Sequence, residues 1–292
     1  MPLVSIGLPV FNGENYIHFA IDSLLSQTFP DFELIISDNA STDKTAEICR
    51  AYAAQDKRIR FFRNEKNLGA SINFNSVFER RKAKYFKWTS HDDSYAPEFL
   101  ERCVDPLEKD PSLALCYAQA TLIDEKGQKI RDYDSRLHLI SHKPHNRLHK
   151  FMRKPPLCNP IFGVIRSDIL ATTNLLGNYE SSDFNLLVEL CLRGKFWEHD
   201  EYLFLRRDHS KMSRRAPRTG REYLAWFDPK RKGANVFPYV RLLKEVFKSV
   251  SKAPISFKEK ALCFAEILGA GFVLSARTIR WMRARSDPER LY

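Results

Sequence analysis

No CxxC pair occurs in this chain of 292 residues, although it holds six cysteines. Cys49, Cys103, Cys116, Cys158, Cys191 and Cys263 are scattered, which argues against a zinc site or a disulfide frame and suits buried thiols in a reducing compartment, so a cytoplasmic protein is expected. The opening MPLVSIGLPVF has no basic start and no apolar stretch of leader length, and it reads as a first strand. Internal repeats and low-complexity segments are lacking. So is a clear membrane span: ALCFAEILGAGFVLSA runs for sixteen residues and is broken by Glu266. Followed by Arg277, Arg280, Trp281, Arg283 and Arg285, that segment suits either a membrane interface or a packing helix.

What is present is ordinary globular material, 43% hydrophobic and 28% charged, in a chain long enough for a large core. The net charge of +11 is unevenly placed. Residues 206–292 carry 21 Lys and Arg against 8 Asp and Glu, a net of +13, and the first 205 residues hold 26 against 28. A basic C-terminal region of this kind fits nucleic acid, an anionic lipid surface, a phosphorylated ligand or a plain solvated face, and charge alone does not choose.

The first 125 residues alternate between strand and helix patterns. LVSIGLPVF is an apolar run bounded by turn formers, as in a strand buried on both faces, and Ile17, Ala20, Ile21, Leu24 and Leu25 fall at helical spacing. FELIISD, TAEICRAYAAQ, IRFFRN, SINFNSVFERR and KYFKWTS continue the alternation. A helix from about Pro97 and the strand LALCYAQATLID follow, with a hairpin turn at Lys126 and Gly127. The pattern predicts an α/β fold, a mostly parallel sheet flanked by helices. Beyond it, RLHLISHKPHNRLHKFMRKPP reads as a loop or an acceptor-side excursion, and His138, His142, His145 and His149 within it have no acidic or cysteine partners nearby in the sequence for a metal site. SSDFNLLVELCLRGKF reads as a helix, EYLFLRRDH as a strand, and NVFPYVRLLKEVFKSV with the segment after Ser256 as a basic helical tail.

In such sheets ligands bind beyond the carboxyl ends of the strands. The residues there are Pro9 to Asn12, Asp38 and Asn39, Asn64 to Gly69, and His91 to Asp93. Adjacent aspartates at a strand tip either cap the next helix, with Asp93 or Ser94 accepting a backbone N–H, or face a cation. The four sets are expected to converge on one cleft, which makes the Asp pair part of a constellation and leaves a metal ion, a basic side chain or plain solvent as what it faces.

Three linked stretches in order, SIGLPVFNGENYIHFAIDSLLSQTFPDFELIISDNASTDKT, RNEKNLGASINFN and KWTSHDDSYAPEFLERCV, resemble the inverting family 2 glycosyltransferases of GT-A fold. The likeness is dense from Val4 to about Asp124 and thin from Tyr179 to Ser213. It implies a GT-A domain over 1–215, with a nucleotide-sugar half (1–125) and an acceptor-side half (126–215), and a basic helical C-terminal region over 216–292. Pro9, Val10, Phe11 and Asn12, with Glu14 beside them, are expected around the donor's base. Asp38, an acceptor-only carboxylate, is expected to take the base's imide N–H, with an Asx-turn as its plainer role. The Asn67 to Gly69 loop is expected at the nucleotide, where Gly69 permits a close backbone approach.

His91, Asp92 and Asp93 stand at the family's metal motif, with His91 in place of the first Asp. The likeness assigns Asp93 to Mn²⁺ or Mg²⁺ and Asp92 to the ribose or a supporting position, because a departing diphosphate needs a divalent cation with hard oxygen ligands. Asp183, in SSDFNLLVEL, matches the family's general base, with Ser182 in place of the usual Glu; its plainer role is a helix cap. In RRDHSKMS, Arg207 and His209 match diphosphate or metal contacts. The implied activity is metal-dependent, inverting transfer from a nucleoside diphosphate sugar, a UDP-sugar in the first instance, to a glycan or lipid-linked saccharide. The basic tail could contact an anionic membrane, and no nucleic acid is expected. The competing classes are a nucleotidyltransferase, which needs a Gly-rich triphosphate loop that PVFNGENY does not supply, and a basic nucleic-acid-binding protein.

Overall fold

A computed structural model describes residues 1–133, 137–153, 158–210, 212 and 238–269. The chain alternates as the hydrophobic pattern requires: β1 (Val4–Val10), α1 (Ile17–Leu25), β2 (Phe32–Asp38), α2 (Thr45–Gln55), β3 (Ile59–Arg63), α3 (Ala70–Glu79) and β4 (Tyr85–Trp88). A two-residue strand, β5 (Ser94–Tyr95), precedes α4 (Phe99–Lys109), β6 (Leu113–Ile123) and β7 (Lys129–Tyr133). Then come α5 (Pro144–Arg153), a 3₁₀ turn (Asn159–Phe162), β8 (Val164–Arg166), α6 (Ser167–Ala171), α7 (Ser182–Arg193), β9 (Lys195–Arg207) and α8 (Pro238–Lys252), with a further helical stretch over 257–269.

The strands join in the order β3-β2-β1-β4-β8-β6-β9-β5, with β7 on β6. The β3-β2-β1-β4 block is parallel throughout, as is β6 with β9, whereas β8, β5 and β7 pair antiparallel. Every residue of β1 and β2 is buried, because helices cover both faces and each face needs its own apolar set. Ile35, Phe86 and Trp88 join one core with α3, α5 and α7, while Leu34, Ile36, Ile6 and Leu8 join the other with α1, α2 and α4. Lys87 shares this buried strand tip. Its Nζ donates to Phe162 O at 2.6 Å and Trp88 O at 3.3 Å and lies 3.5 Å from the centre of the Tyr95 ring, and burial pushes its ammonium pKa well down.

One expectation is corrected. The stretch read as a loop contains helix α5, whose Arg147, Leu148, Phe151 and Met152 are buried. Its helical period was hidden because Arg147 is a core residue: its guanidinium donates to Cys191 O at 2.6 Å and Ser141 O at 2.7 Å, which satisfies a cation inside the fold. The histidines there have separate partners, His145 with Glu259 at 2.8 Å and His149 with Glu266 at 2.6 Å. These pairs tie α5 to the C-terminal helices. Val246, Val250, Cys263 and Ile267 of those helices are buried in the core that also holds α7. The outer surface is different: Phe257 is 88% and Leu268 68% exposed, with Val240, Leu243 and Leu262 also exposed. Among the described residues no helix is long and apolar enough to cross a membrane, and Arg277 to Arg285 lie outside them.

Candidate active site

The loops after β1 and β2 are laced together by bonds from backbone N–H groups to side chains. Asn12 N donates to Ser41 Oγ at 2.8 Å, Gly13 N to Thr45 Oγ1 at 2.8 Å and Glu14 N to Asp43 Oδ2 at 3.2 Å. In return Thr42 N donates to Asn12 Oδ1 at 2.9 Å and Lys44 N to Glu14 Oε2 at 3.0 Å. Glu14 and Asn12 thus organise the neighbouring loop, and Phe11 is left exposed at the tip of β1 beyond the buried Pro9 and Val10.

Asp38 closes β2, fully buried. Its Oδ1 accepts the Ser41 N–H at 3.0 Å, the Asx-turn anticipated for NAST. Its Oδ2 lies 3.3 Å from Arg63 Nε yet has no hydrogen-bond partner among the described residues. This oxygen is ion-paired with Arg63 and keeps capacity to accept an N–H at the strand end. Next to it, Asn39 donates through Nδ2 to Asn67 Oδ1 at 2.9 Å and accepts at Oδ1 from Leu68 N at 2.9 Å and Asn64 Nδ2 at 3.0 Å. Gly69 has φ +89°, which a residue with a Cβ reaches only under strain, and this sharp entry to α3 brings the Asn67 to Gly69 loop back beside Asp38's neighbour.

Strand β4 ends two positions from β2, across β1, and its tip holds the acids. Asp92 is bonded through Oδ1 to Ser90 Oγ and through Oδ2 to His209 Nε2, the latter at 3.0 Å. Asp93 Oδ1 accepts the backbone N–H of Arg207 at 2.9 Å, and α4 has no side-chain cap, so neither acid serves as a helix cap. The pair is electrostatically split. Burial, then the charge of Asp92, raises the Asp93 pKa. For Asp92 burial acts the same way, but His91 and the bonds from His209 and Ser90 outweigh it and hold the carboxyl well below the usual carboxylate range.

His91, whose role the resemblance left open, packs against Gly13, where a Cβ would come within 2.6 Å of its ring. The first loop therefore touches the acid loop. Tyr16 strengthens the contact, its ring centroid 4.6 Å from that of His209. The guanidinium of Arg207 is spent on main-chain carbonyls, Asp92 O at 3.0 Å, Asp124 O at 3.1 Å and Glu125 O at 3.2 Å.

Asp183 is half-buried in the first turn of α7, with Oδ1 accepting the Phe184 N–H at 2.9 Å. Burial raises its pKa, partly offset by that bond, by the Cys158 thiol and by the charge of Arg206. Arg206 acts on Asp93 as well, so it lies within electrostatic reach of both acids. Sequence reading passed over it in favour of Arg207. Strand alternation on β9, which sends adjacent side chains to opposite faces, is the signal that separates the two.

The glycosyl transferase family 2 profile matches residues 5–171. The chain belongs to that family. An uncharacterized glycosyltransferase of Rickettsia typhi is 38% identical over 130 residues, 44% of this chain and 40% of that protein. The chondroitin synthase of Escherichia coli is 36% identical over 130 residues, 44% of this chain and 19% of that protein. The matched stretch thus spans less than half the length of either relative. S. aureus TarS, solved with UDP, superposes with a TM-score of 0.68 at 15% identity over 93% of this chain and 72% of that one. A Pyrobaculum calidifontis mannosyltransferase, solved with GDP-Man and Mn²⁺, gives 0.56 at 14% identity over 98% and 84%. At such identities the likeness establishes a GT-A fold.

Proposed function

We propose that this chain transfers a sugar, with inversion, from a nucleoside diphosphate sugar to a hydroxyl of a glycan or lipid-linked saccharide. The observation that carries the proposal is the pairing of two buried acidic stations at the ends of the strands that flank β1: Asp38, whose Oδ2 is ion-paired with Arg63 but accepts no hydrogen bond, and Asp92 with Asp93. The first suits a base that offers an N–H, such as uracil, and the second suits the diphosphate end. Asp38, Pro9 to Asn12, Glu14, Asn67 and Gly69 form the nucleotide side. UDP is the first donor to test, because it is the nucleotide bound to S. aureus TarS.

The residues fit a divalent cation of the hard, oxygen-seeking kind. Asp93 would hold it, and His209 offers a buried Nδ1 that has no hydrogen-bond partner among the described residues, its Nε2 being engaged by Asp92. No cluster of three or more His, Cys, Asp or Glu that could hold an ion alone exists among the described residues, so phosphate oxygens and water would have to complete the shell. When bound, such an ion neutralises charge on the departing diphosphate. Asp92 orients His209, and Arg207 braces the acid loop from beneath. Asp183, whose Oδ1 already accepts the Phe184 N–H, takes the proton from the acceptor hydroxyl. A carboxyl raised by burial is a better base than an exposed one. Inversion needs one displacement only, so no covalent intermediate is required.

The exposed Phe257 and Leu268, with Lys258 and Lys260 on the same helical stretch, suit peripheral contact with an anionic membrane. The test of the donor reading is a thermal-shift panel of UDP, GDP, dTDP and CDP with and without Mn²⁺, followed by donor hydrolysis. A metal-dependent shift with one nucleotide is expected. No shift with any of them would overturn it.

A further inference from the structure

Strand β4 leads to the acid pair at its carboxyl end, and a second cleft opens at its amino end. Residues 80–84, between α3 and β4, carry Arg80, Arg81, Lys82 and Lys84, four cations in five positions. Arg81, Lys82, Ala83 and Lys84 from this segment, with Ser167 and Asp168 from the segment after β8, line a surface cleft of about 530 Å³. Clefts of that order hold small molecules. The two segments are fixed to each other, since Tyr85 pairs with Arg166 in the β4–β8 ladder and Ser167 N donates to Lys84 O at 2.9 Å. Lys82 N donates to Glu33 Oε1 at 3.1 Å and Ala83 N to Ser5 Oγ at 3.2 Å, so the backbone that carries the cations is pinned to the buried ends of β1 and β2.

Charge in this cleft is not balanced. Lys84 is paired with Glu108 at 2.7 Å. Arg81 gives Nη1 to Phe78 O at 3.0 Å and sets its guanidinium 3.6 Å from the centre of the Phe78 ring, while Lys82 is exposed; neither has a carboxylate partner among the described residues. Asp168 is the one acid of the lining, and its Oδ1 accepts the Ile169 N–H at 2.8 Å. Ser167 supplies an independent sign. It is 6% exposed, and its Oγ is buried with no hydrogen-bond partner among the described residues. An unpaired buried hydroxyl is costly, and such groups mark places where a water, an ion or a ligand completes the bonding. A guanidinium fork, an ammonium and a hydroxyl beside an excess of positive charge match a phosphate. Inorganic phosphate would occupy a small part of the cleft, so the space favours a phosphate carried on an organic group.

We propose that this cleft binds a phosphate monoester through Arg81, Lys82 and Ser167, at the opposite end of β4 from the acid pair and independently of the sugar donor. Binding of glucose 6-phosphate, inorganic phosphate and glucose to the full chain, measured by calorimetry for wild type, Lys82→Gln, Arg81→Gln with Lys82→Gln, Ser167→Ala and Asp168→Asn, tests it. Saturable binding of glucose 6-phosphate to wild type is expected, weakened by roughly tenfold or more in the double variant, the scale of a charged hydrogen bond, and by less in Lys82→Gln. Ser167→Ala should weaken it while raising the melting temperature of the free protein, because an unpaired hydroxyl is removed. Asp168→Asn should tighten it by removing a like charge. Glucose 6-phosphate bound more tightly than inorganic phosphate supports the monoester; equal affinity overturns the monoester and leaves an inorganic phosphate site. Absence of binding by either, glucose bound as tightly as its phosphate, or affinities unchanged in the double variant overturn the site altogether. So does displacement of glucose 6-phosphate by UDP with Mn²⁺, which would put the phosphate in the donor cleft. If the double variant does not fold, Lys82→Gln and Ser167→Ala decide, and wild-type affinity in both overturns the proposal.

Discussion

The backbone N–H of Arg207 donates to Asp93 Oδ1 at 2.9 Å, joining two segments 114 residues apart in sequence. Arg207 Nε holds the next carbonyl, Asp92 O, at 3.0 Å, so the end of β9 grips the acid loop by main chain and side chain together. The position of Asp93 is set by β9 and does not depend on a helix cap.

Asp93→Ala is expected to abolish most transfer while the fold survives, because its carboxylate is the proposed metal ligand and α4 is not capped by it. Chelation of the wild type should have the same effect. Full activity in excess chelator would remove the metal from the mechanism.

The raised pKa of Asp93 gives a pH dependence of definite sign. A carboxyl that binds its proton more tightly folded than unfolded stabilises the fold at low pH, and that contribution is lost as pH rises from the ordinary carboxylate range through its folded value of about 7. In metal-free protein, the melting temperature of wild type relative to Asp93→Asn should therefore fall between about pH 4 and 7, and added Mn²⁺ should reverse the fall above it. Parallel melting curves across that range would show that the carboxyl is not perturbed.

Asp38→Ala should weaken nucleotide binding far more than it slows turnover of bound donor, since contact with the base is the same in ground and transition states. The check is a comparison of UDP affinity with kcat at saturating donor. Unchanged affinity takes Asp38 out of the site.

Asp183→Asn preserves size and the bond from Phe184 N–H, so stability and UDP affinity should hold while transfer drops by about a hundredfold or more, the scale of lost general-base catalysis. Turnover near wild type would reduce Asp183 to a part of the helix terminus and direct attention to Glu180 or Asp208.

Membrane contact is best tested by Phe257→Ser with Leu268→Ser, both exposed. Removing everything after Ser256 would also delete Cys263 and Ile267 from the core, and would confuse unfolding with release. The double variant should lose binding to anionic liposomes at low salt with its melting temperature intact; equal binding by both proteins sinks the idea.

The first half of the fold was legible in the sequence because its signals are local. Apolar runs gave β1 and β2, helical spacing gave α1, and the strand ends gave Asp38 and the Asp92–Asp93 pair. Helix α5 was not legible, since its buried Arg147 reads as a surface charge until Cys191 O is seen to accept from it. Asn159 and Arg206 were missed for a related reason. Each is unremarkable in its own stretch, and the bond that joins them spans 47 residues.

Helix α7 has Asp183 in its first turn and Glu189 further along, and Glu189 Oε1 accepts from Ser249 Oγ of α8 at 3.0 Å while Arg193 and Asn174 bond its carboxylate from other sides. Helix α7 therefore links the proposed base to the C-terminal helices. A surface that captured the exposed side of those helices would fix the compass bearing of the cleft, so that an acceptor anchored to the same surface would approach Asp183 from a constant direction and at a constant height.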